Sequence, residues 1–269
     1  DYRYACLGTG LATLGLVGVR KSGKNLKLTV AYDGSAYHGF QRQANALTVQ
    51  QVLEETLSVL LGESIVVAGA ARTDAGVHSY GQVVSLRTNS RVPTDRIPPA
   101  LRSMLPRDIA VVEAEEMDES FHARFSATGK LYCYRILNSD RPDPLQRNYC
   151  WQVARPLNLE AMQTALMLLV GEHHFGAFQS AGSSAKNPVR TLYKATCGKQ
   201  GDLLEFQFHG NGFLYHMVRN IVGTVVDVGL GKTSLVDFQA IFSGRDRRKA
   251  GATAPGAGLY LLRVFYEKP

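Results

Sequence analysis

Leu26-Lys27-Leu28-Thr29-Val30-Ala31-Tyr32 sets apolar residues at every second position, and Asp33-Gly34 follows it. A period of two is the mark of a strand with one face in a core, and Asp-Gly is a turn that ends one. From Thr48 the period changes. Val49, Val52, Leu53, Leu57, Leu60 and Leu61 fall on one helical stripe, with Thr48-x-x-Gln51 as a capping box and Gly62 as the stop. Outward from this strand and helix, the pattern predicts strands at Ile65 to Ala68 and around Gln82 to Arg87, a helix over Thr94 to Leu105, and a strand at Ile109 to Glu115. The order is βαββαβ.

Past Phe121 the cycle restarts. A strand is predicted at Leu131 to Leu137, a helix at Leu159 to Val170 capped by Asn158, and strands at Thr191 to Cys197 and Leu203 to His209. A helix over Phe213 to Val228 and a final strand at Leu259 to Tyr266 complete a second βαββαβ, with a helix at Leu235 to Phe242 inserted before that strand. The fold class is therefore α+β: two ferredoxin-like, RRM-like units, each an antiparallel sheet backed by helices, with no residue-level repeat between them. Residues 25–122 form the first unit, 123–269 the second, and 1–24 an extension outside the fold.

Composition narrows the function. The 269 residues, 45% of them hydrophobic, can bury a full core. Cys6, Cys133, Cys150 and Cys197 are scattered without a C-x-x-C, which argues against a structural zinc site or a disulfide framework. Ala5 to Val19 is apolar but shorter than the roughly 20 residues that span a bilayer, and its basic cluster follows it, where a signal peptide has its charge in front. Lys and Arg number 30 against 23 Asp and Glu, a formal charge of +7 that suits a polyanionic partner.

The densest group of reactive side chains is Ala71-Arg72-Thr73-Asp74-Ala75-Gly76-Val77-His78, between two predicted strands. Loops held by a rigid sheet commonly carry function, and an Arg near an Asp can aim it and keep it ionised. The same residues also suit a tight turn, with Thr73 and Asp74 bonding nearby backbone and Gly76 supplying a positive φ.

The string A-R-T-D-A-G-V-H resembles the G-R-T-D-x-G-V-H signature of the tRNA pseudouridine synthase A family. Further segments fall in that family's order across Lys27 to Tyr266: Tyr37-His38-Gly39-Phe40-Gln41, Phe121-His122-Ala123-Arg124-Phe125-Ser126-Ala127 leading into Lys130-Leu131-Tyr132-Cys133-Tyr134-Arg135, His216-Met217-Val218-Arg219-Asn220-Ile221-Val222-Gly223, and Ala250-Gly251-x-Thr253-Ala254-Pro255. Ala71 stands where the family usually has Gly, and Ser79 where it usually has Ala. Ala71 would be strained by about 1 kcal/mol if its φ were positive. Gly256-Ala257 also departs from the usual spacing after Pro255.

The resemblance implies a pseudouridine synthase fold with a central cleft and a cytoplasmic homodimer. It also implies isomerisation of uridines 38, 39 and 40 in the tRNA anticodon arm, with no metal or other cofactor because there is no net redox change. Asp74 is then the nucleophile, Tyr132 the ring against the target base, and Arg219 the partner that keeps Asp74 ionised. Arg72, Thr73, His78, Gln41, Arg124 and Lys130 are expected to bind substrate; on its own residues His78 reads as a backbone-bonding loop residue rather than a general base, and it is given no catalytic role. Arg245, Arg247 and Arg248 form a charge run that is either a solvated face or a set of phosphate contacts. A synthase for another RNA site shares this chemistry, and a non-catalytic RNA-binding protein or a glycoside hydrolase using Asp74 stands as an alternative. The last two lack, respectively, an RNP string and a second acidic residue beside Asp74 in sequence. Direct attack at C1′ and abstraction of the 2′ proton through a glycal both fit.

Overall fold

The computed structural model describes residues 23–183 and 185–267. The chain order is β1 (Lys24–Tyr32), α1 (Val49–Leu61), β2 (Ala68–Gly69), β3 (His78–Thr88), α2 (Ile97–Arg102), β4 (Ile109–Met117), β5 (Gly129–Leu137), β6 (Trp151–Gln152), α3 (Leu159–Met167) and β7 (Gly171–His174). Then come β8 (Val189–Gln200), β9 (Leu203–Gly210), α4 (Met217–Gly229), α5 (Leu235–Gly244) and β10 (Leu259–Phe265). Lys24 already pairs with Thr88, and residues 1–22 of the expected extension lie outside the described residues.

The alternation at Leu26, Leu28, Val30 and Tyr32 buries one face of β1 against α1, whose Leu53 and Leu57 are fully buried. Thr48 caps α1 by accepting from the Gln51 N–H, and Gly62 closes it at φ 72°. The Gln51 side chain does not return to the cap; it donates to Glu55. Tyr134, Ile136, Phe206 and Phe208 form the matching face of the second unit, under α3 and α4.

In each unit the strands lie in the order fourth, first, third, second: β4-β1-β3-β2 and β10-β5-β9-β8. The two units do not keep separate sheets, as the sequence suggested. Their strands join in one ten-stranded sheet in which β10 lies between β5 and β3. Because β2 pairs only with Val84 and Ser85, the opening of β3 needs another partner, and β10 supplies it in parallel, Tyr260 to His78 and Leu261 to Ser79. Ser79 reinforces the seam by donating to the Leu261 carbonyl at 3.1 Å, so this departure from the family residue has a local use. Ala70, Ala71, Val77 and Val83 belong to the second unit's core, which draws the loop carrying Asp74 onto that unit.

Strands β6 and β7 fall where the sequence predicted none, and three predicted elements differ in extent. The ladder in the second strand is confined to Ala68–Gly69, and the expected helix over Thr94 to Leu105 is a 3₁₀ turn followed by Ile97–Arg102. The helix expected from Phe213 begins at Met217, because His216 takes φ 60° and breaks the helical path.

Candidate active site

The loop of Asp74 is a tight turn held from two sides. The Val77 N–H donates to the Asp74 carbonyl at 3.2 Å, and Gly76 supplies φ 74°. Tyr37 to Phe40 strap it: the Phe40 N–H donates to Thr73 O at 3.0 Å and the Gly76 N–H to Tyr37 O at 3.4 Å. Gly39 is required there, since its φ is +87° and a Cβ would lie 2.5 Å from Thr73 O. Ala71 has no positive φ, so the strain considered for it does not arise; instead it exchanges two hydrogen bonds with the buried Gln82 side chain.

Opposite the loop, the first turn of α4 presents Arg219. Its Nε donates to Ala254 O at 2.7 Å and its Nη1 to Asp74 Oδ2 at 2.8 Å. The first bond orients the planar guanidinium for the second, and both partners are largely shielded, with side chains 15% and 20% exposed. His216 Nε2 lies 3.4 Å from the same Oδ2. Among the described residues, Asp74 Oδ1 takes no hydrogen bond, so the carboxylate is anchored through one oxygen and offers the other.

This carboxylate opens into a cleft of about 400 Å³. Arg72, Thr73, Arg124, Lys130, Tyr132 and Arg219 line it with Asp74, so seven of the sequence-derived site residues meet at one place. Tyr132 sits edge-on to Phe213, ring centroids 5.0 Å apart, and its burial pushes the phenol well above its ordinary pKa. Thr73 Oγ1 is bonded to the Tyr32 hydroxyl at 2.7 Å. Lys130 is brought down to about 8, by burial first and then by Arg124 and Arg190. A set-back ammonium with two cationic neighbours is suited to an anion.

The remaining candidates lie elsewhere. Gln41 bonds the Gln50 side chain at the cap of α1. His78 lies away from the cleft, buried below a different cavity, with Nδ1 beside Gly34 N and Asp33 and Nε2 at 2.8 Å from Asn148 O, so both nitrogens are engaged within the protein. Arg247 also lies away from the cleft lining, and its terminal nitrogens donate to Ala250 O, Gly251 O, Asn220 Oδ1 and Thr253 Oγ1. Arg248 is exposed and paired with Asp246, and Arg245 ends α5 with φ 57°.

Sequence reasoning missed Arg190, Phe213 and His216. Nothing in the local sequence marks Arg190, at the start of β8. His216 carried a usable signal in its place beside Arg219 in one segment, but its approach to Asp74 depends on a backbone turn that no periodicity reveals. Among the described residues no group of three His, Cys, Asp or Glu side chains could hold a metal ion, and no helix is long and apolar enough to cross a membrane.

Comparison with known proteins gives the family. The tRNA pseudouridine synthase family model matches residues 28–126 and 165–267, which hold every residue of the cleft named above except Arg124's neighbours Lys130 and Tyr132 on β5. A tRNA pseudouridine synthase A of Thermoanaerobacter sp. (strain X514) is 47% identical over 243 residues, covering 90% of this chain and 100% of its own. Proteins of that name from Acetivibrio thermocellus, 46% identical over 90% of this chain and 100% of theirs, and Geobacillus sp. (strain WCH70), 46% identical over 91% and 99%, are similar to the same extent. With an Asp anchored by an Arg across two joined units, and likeness along nearly its whole length, the chain belongs to the tRNA pseudouridine synthase family.

Proposed function

We propose that the protein isomerises uridine to pseudouridine in the anticodon arm of tRNA, at positions 38, 39 and 40, with Asp74 as the nucleophile. The observation that carries this reading is the Asp74 carboxylate, tied through Oδ2 to Arg219 at 2.8 Å and open through Oδ1 to a cleft lined by cations. The target base is inaccessible in a stacked arm, and extruding it costs a few kcal/mol that contacts in the cleft must offset. Arg72, exposed at the mouth, is placed to act as wedge or phosphate hook, while Arg124, Lys130 and Arg190 hold the backbone.

Inside, the base lies against Tyr132. The N1 to C1′ bond breaks, the uracil turns without leaving, C5 bonds to C1′, and the proton that C5 loses is matched by one that the freed N1 gains. Atoms and electrons balance without a second substrate. The glycosidase pattern of paired carboxylates is not needed, because the retained base serves as the second reactant. We further propose that residues 25–122 and 123–269 are the two folding units, that the protein works as a homodimer in the cytoplasm, and that the exposed Arg245 and Arg248 meet phosphates beyond the cleft.

Carbodiimide mapping of pseudouridine in tRNA incubated with the purified protein tests the reading. Modification confined to the anticodon arm, and lost in Asp74→Asn while folding and tRNA affinity persist, supports it. Turnover by Asp74→Asn, or modification at another RNA site alone, overturns it. Sedimentation of the free protein reports the dimer.

A further inference from the structure

Arg219 is not the only residue that approaches Asp74. His216 closes on the same oxygen, and it stands at the end of a chain whose donors and acceptors can be assigned one by one. Arg247 has donors only. Its Nη2 donates to Asn220 Oδ1 at 2.9 Å and to Thr253 Oγ1 at 3.0 Å, and Thr253 donates onward to the same Oδ1 at 2.7 Å. That fixes which end of the Asn220 amide is oxygen. Nδ2 then donates to Phe178 O at 2.9 Å and to Ser180 Oγ at 3.1 Å, and the carbonyl, an acceptor only, agrees with the assignment. Asn220 is completely buried, so water cannot relax a flipped amide.

Ser180 Oγ accepts from Asn220, and among the described residues the acceptor within reach of its hydroxyl proton is His216 Nδ1 at 3.1 Å. An Nδ1 that accepts leaves the imidazole proton on Nε2, the atom 3.4 Å from Asp74 Oδ2. Burial lowers the His216 pKa; the Asp74 carboxylate works against that, and Arg219 and Arg247 add to it, with a net fall that keeps the ring neutral at neutral pH. The backbone tells the same story. His216 holds φ 60° and ψ 7°, a conformation that costs a non-glycine residue about 1 kcal/mol and is retained where a side chain must be placed.

We propose that His216 is a positioning residue for Asp74, locked by Arg247, Asn220 and Ser180 in its Nε2–H form so that this N–H and Arg219 together hold Oδ2 and leave Oδ1 to the substrate. At 3.4 Å the contact is longer than a formed N–H···O bond, and a small rotation of the carboxylate on substrate entry closes it. The proposal rests on the reading of Asp74 as the reacting carboxylate.

The test uses the full chain, with single-turnover rate, tRNA affinity and thermal midpoint measured for His216→Gly, His216→Gln, Ser180→Ala and Asp74→Asn. Glycine relieves the positive φ and removes the ring, so His216→Gly keeps or gains stability while its single-turnover rate falls by about tenfold to a hundredfold and affinity barely moves. His216→Gln restores part of the rate, because its amide nitrogen can donate where Nε2 did. Ser180→Ala lowers the rate without touching the cleft, and nitrogen NMR of the labelled imidazole finds the Nε2–H form in the unaltered protein and a mixture in that variant. An unchanged rate in His216→Gly, no recovery in His216→Gln, or an Nδ1–H ring in the unaltered protein overturns the proposal. Asp74→Asn separates the two readings: turnover there removes the nucleophile assignment, whereas its inactivity beside a fully active His216→Gly leaves Asp74 standing and removes His216.

Discussion

Lys130 enters the cleft beside Arg124 and Arg190, and its pKa, about 8 in the free protein, makes its charge sensitive to pH near neutrality. A bound phosphate favours the ammonium, so substrate affinity is full below about pH 8 and falls as pH rises through that value. The KM for tRNA should accordingly rise a few-fold between about pH 7 and pH 9, and Lys130→Met should flatten that rise. At Arg219, the partner lost on truncation is Asp74 together with Ala254 O, not a phosphate. Arg219→Ala should therefore reduce single-turnover rate by about a hundredfold with little change in tRNA affinity, and Lys should recover only part of it, since an ammonium cannot make both contacts of the planar fork. Equal losses in rate and affinity would return Arg219 to the substrate contacts. Asp74, Tyr132 and Arg219 were each legible as residues in the chain; which oxygen of Asp74 is held, and by what, was not.

Two close backbone approaches hold the site's elements in place. The segment Ala252 to Ala254 lies directly on α4: the Ala254 N–H donates to Arg219 O at 3.1 Å, and a Cβ on Gly223 would fall 1.8 Å from Ala252 O. Gly223→Ala has to push that segment away, and with it the Ala254 carbonyl that orients Arg219. We expect a loss of about 1–3 kcal/mol in stability by urea unfolding and a larger proportional loss of activity. An unaltered variant would mean that the segment yields freely and does not orient Arg219. Most helices and strands were readable from apolar periodicity, because each buries one face. The start of α4 was not: Phe213 to Tyr215 continue the apolar pattern, yet His216 turns the chain at φ 60° and sends Phe213 and Tyr215 to the cleft wall.

Across the molecule, the full chain carries a formal charge of +7, and Arg72, Arg124, Lys130, Arg190 and Arg219 gather cations at the cleft. Each phosphate they neutralise releases counterions, so tRNA affinity should drop steeply between about 50 and 200 mM salt. Charge reversal at Arg124 and Arg190 should flatten that slope, whereas reversal at the exposed Arg248, already paired with Asp246, should alter it less. Arg247→Glu should instead lower stability, because the four acceptors around its guanidinium would lose their donor and face a carboxylate. A stable Arg247→Glu with a flattened salt slope would restore Arg247 to the phosphate contacts.

The order of elements, the two βαββαβ units and the segments carrying Asp74, Tyr132 and Arg219 were determined by the sequence itself, since periodicity, caps and turn residues are local properties. Only the tertiary structure decided that the two sheets become one, because that depends on β10 finding the unpaired opening of β3 far away in the chain. It also decided which cations face the cleft. Arg245, Arg247 and Arg248 read alike as a basic run, yet one ends a helix, one is enclosed by acceptors and one is paired on the surface, while Arg190 reaches the cleft from the start of β8. Charge in a sequence has no direction; the fold supplies one by choosing which donors are satisfied inside and which are left for a partner.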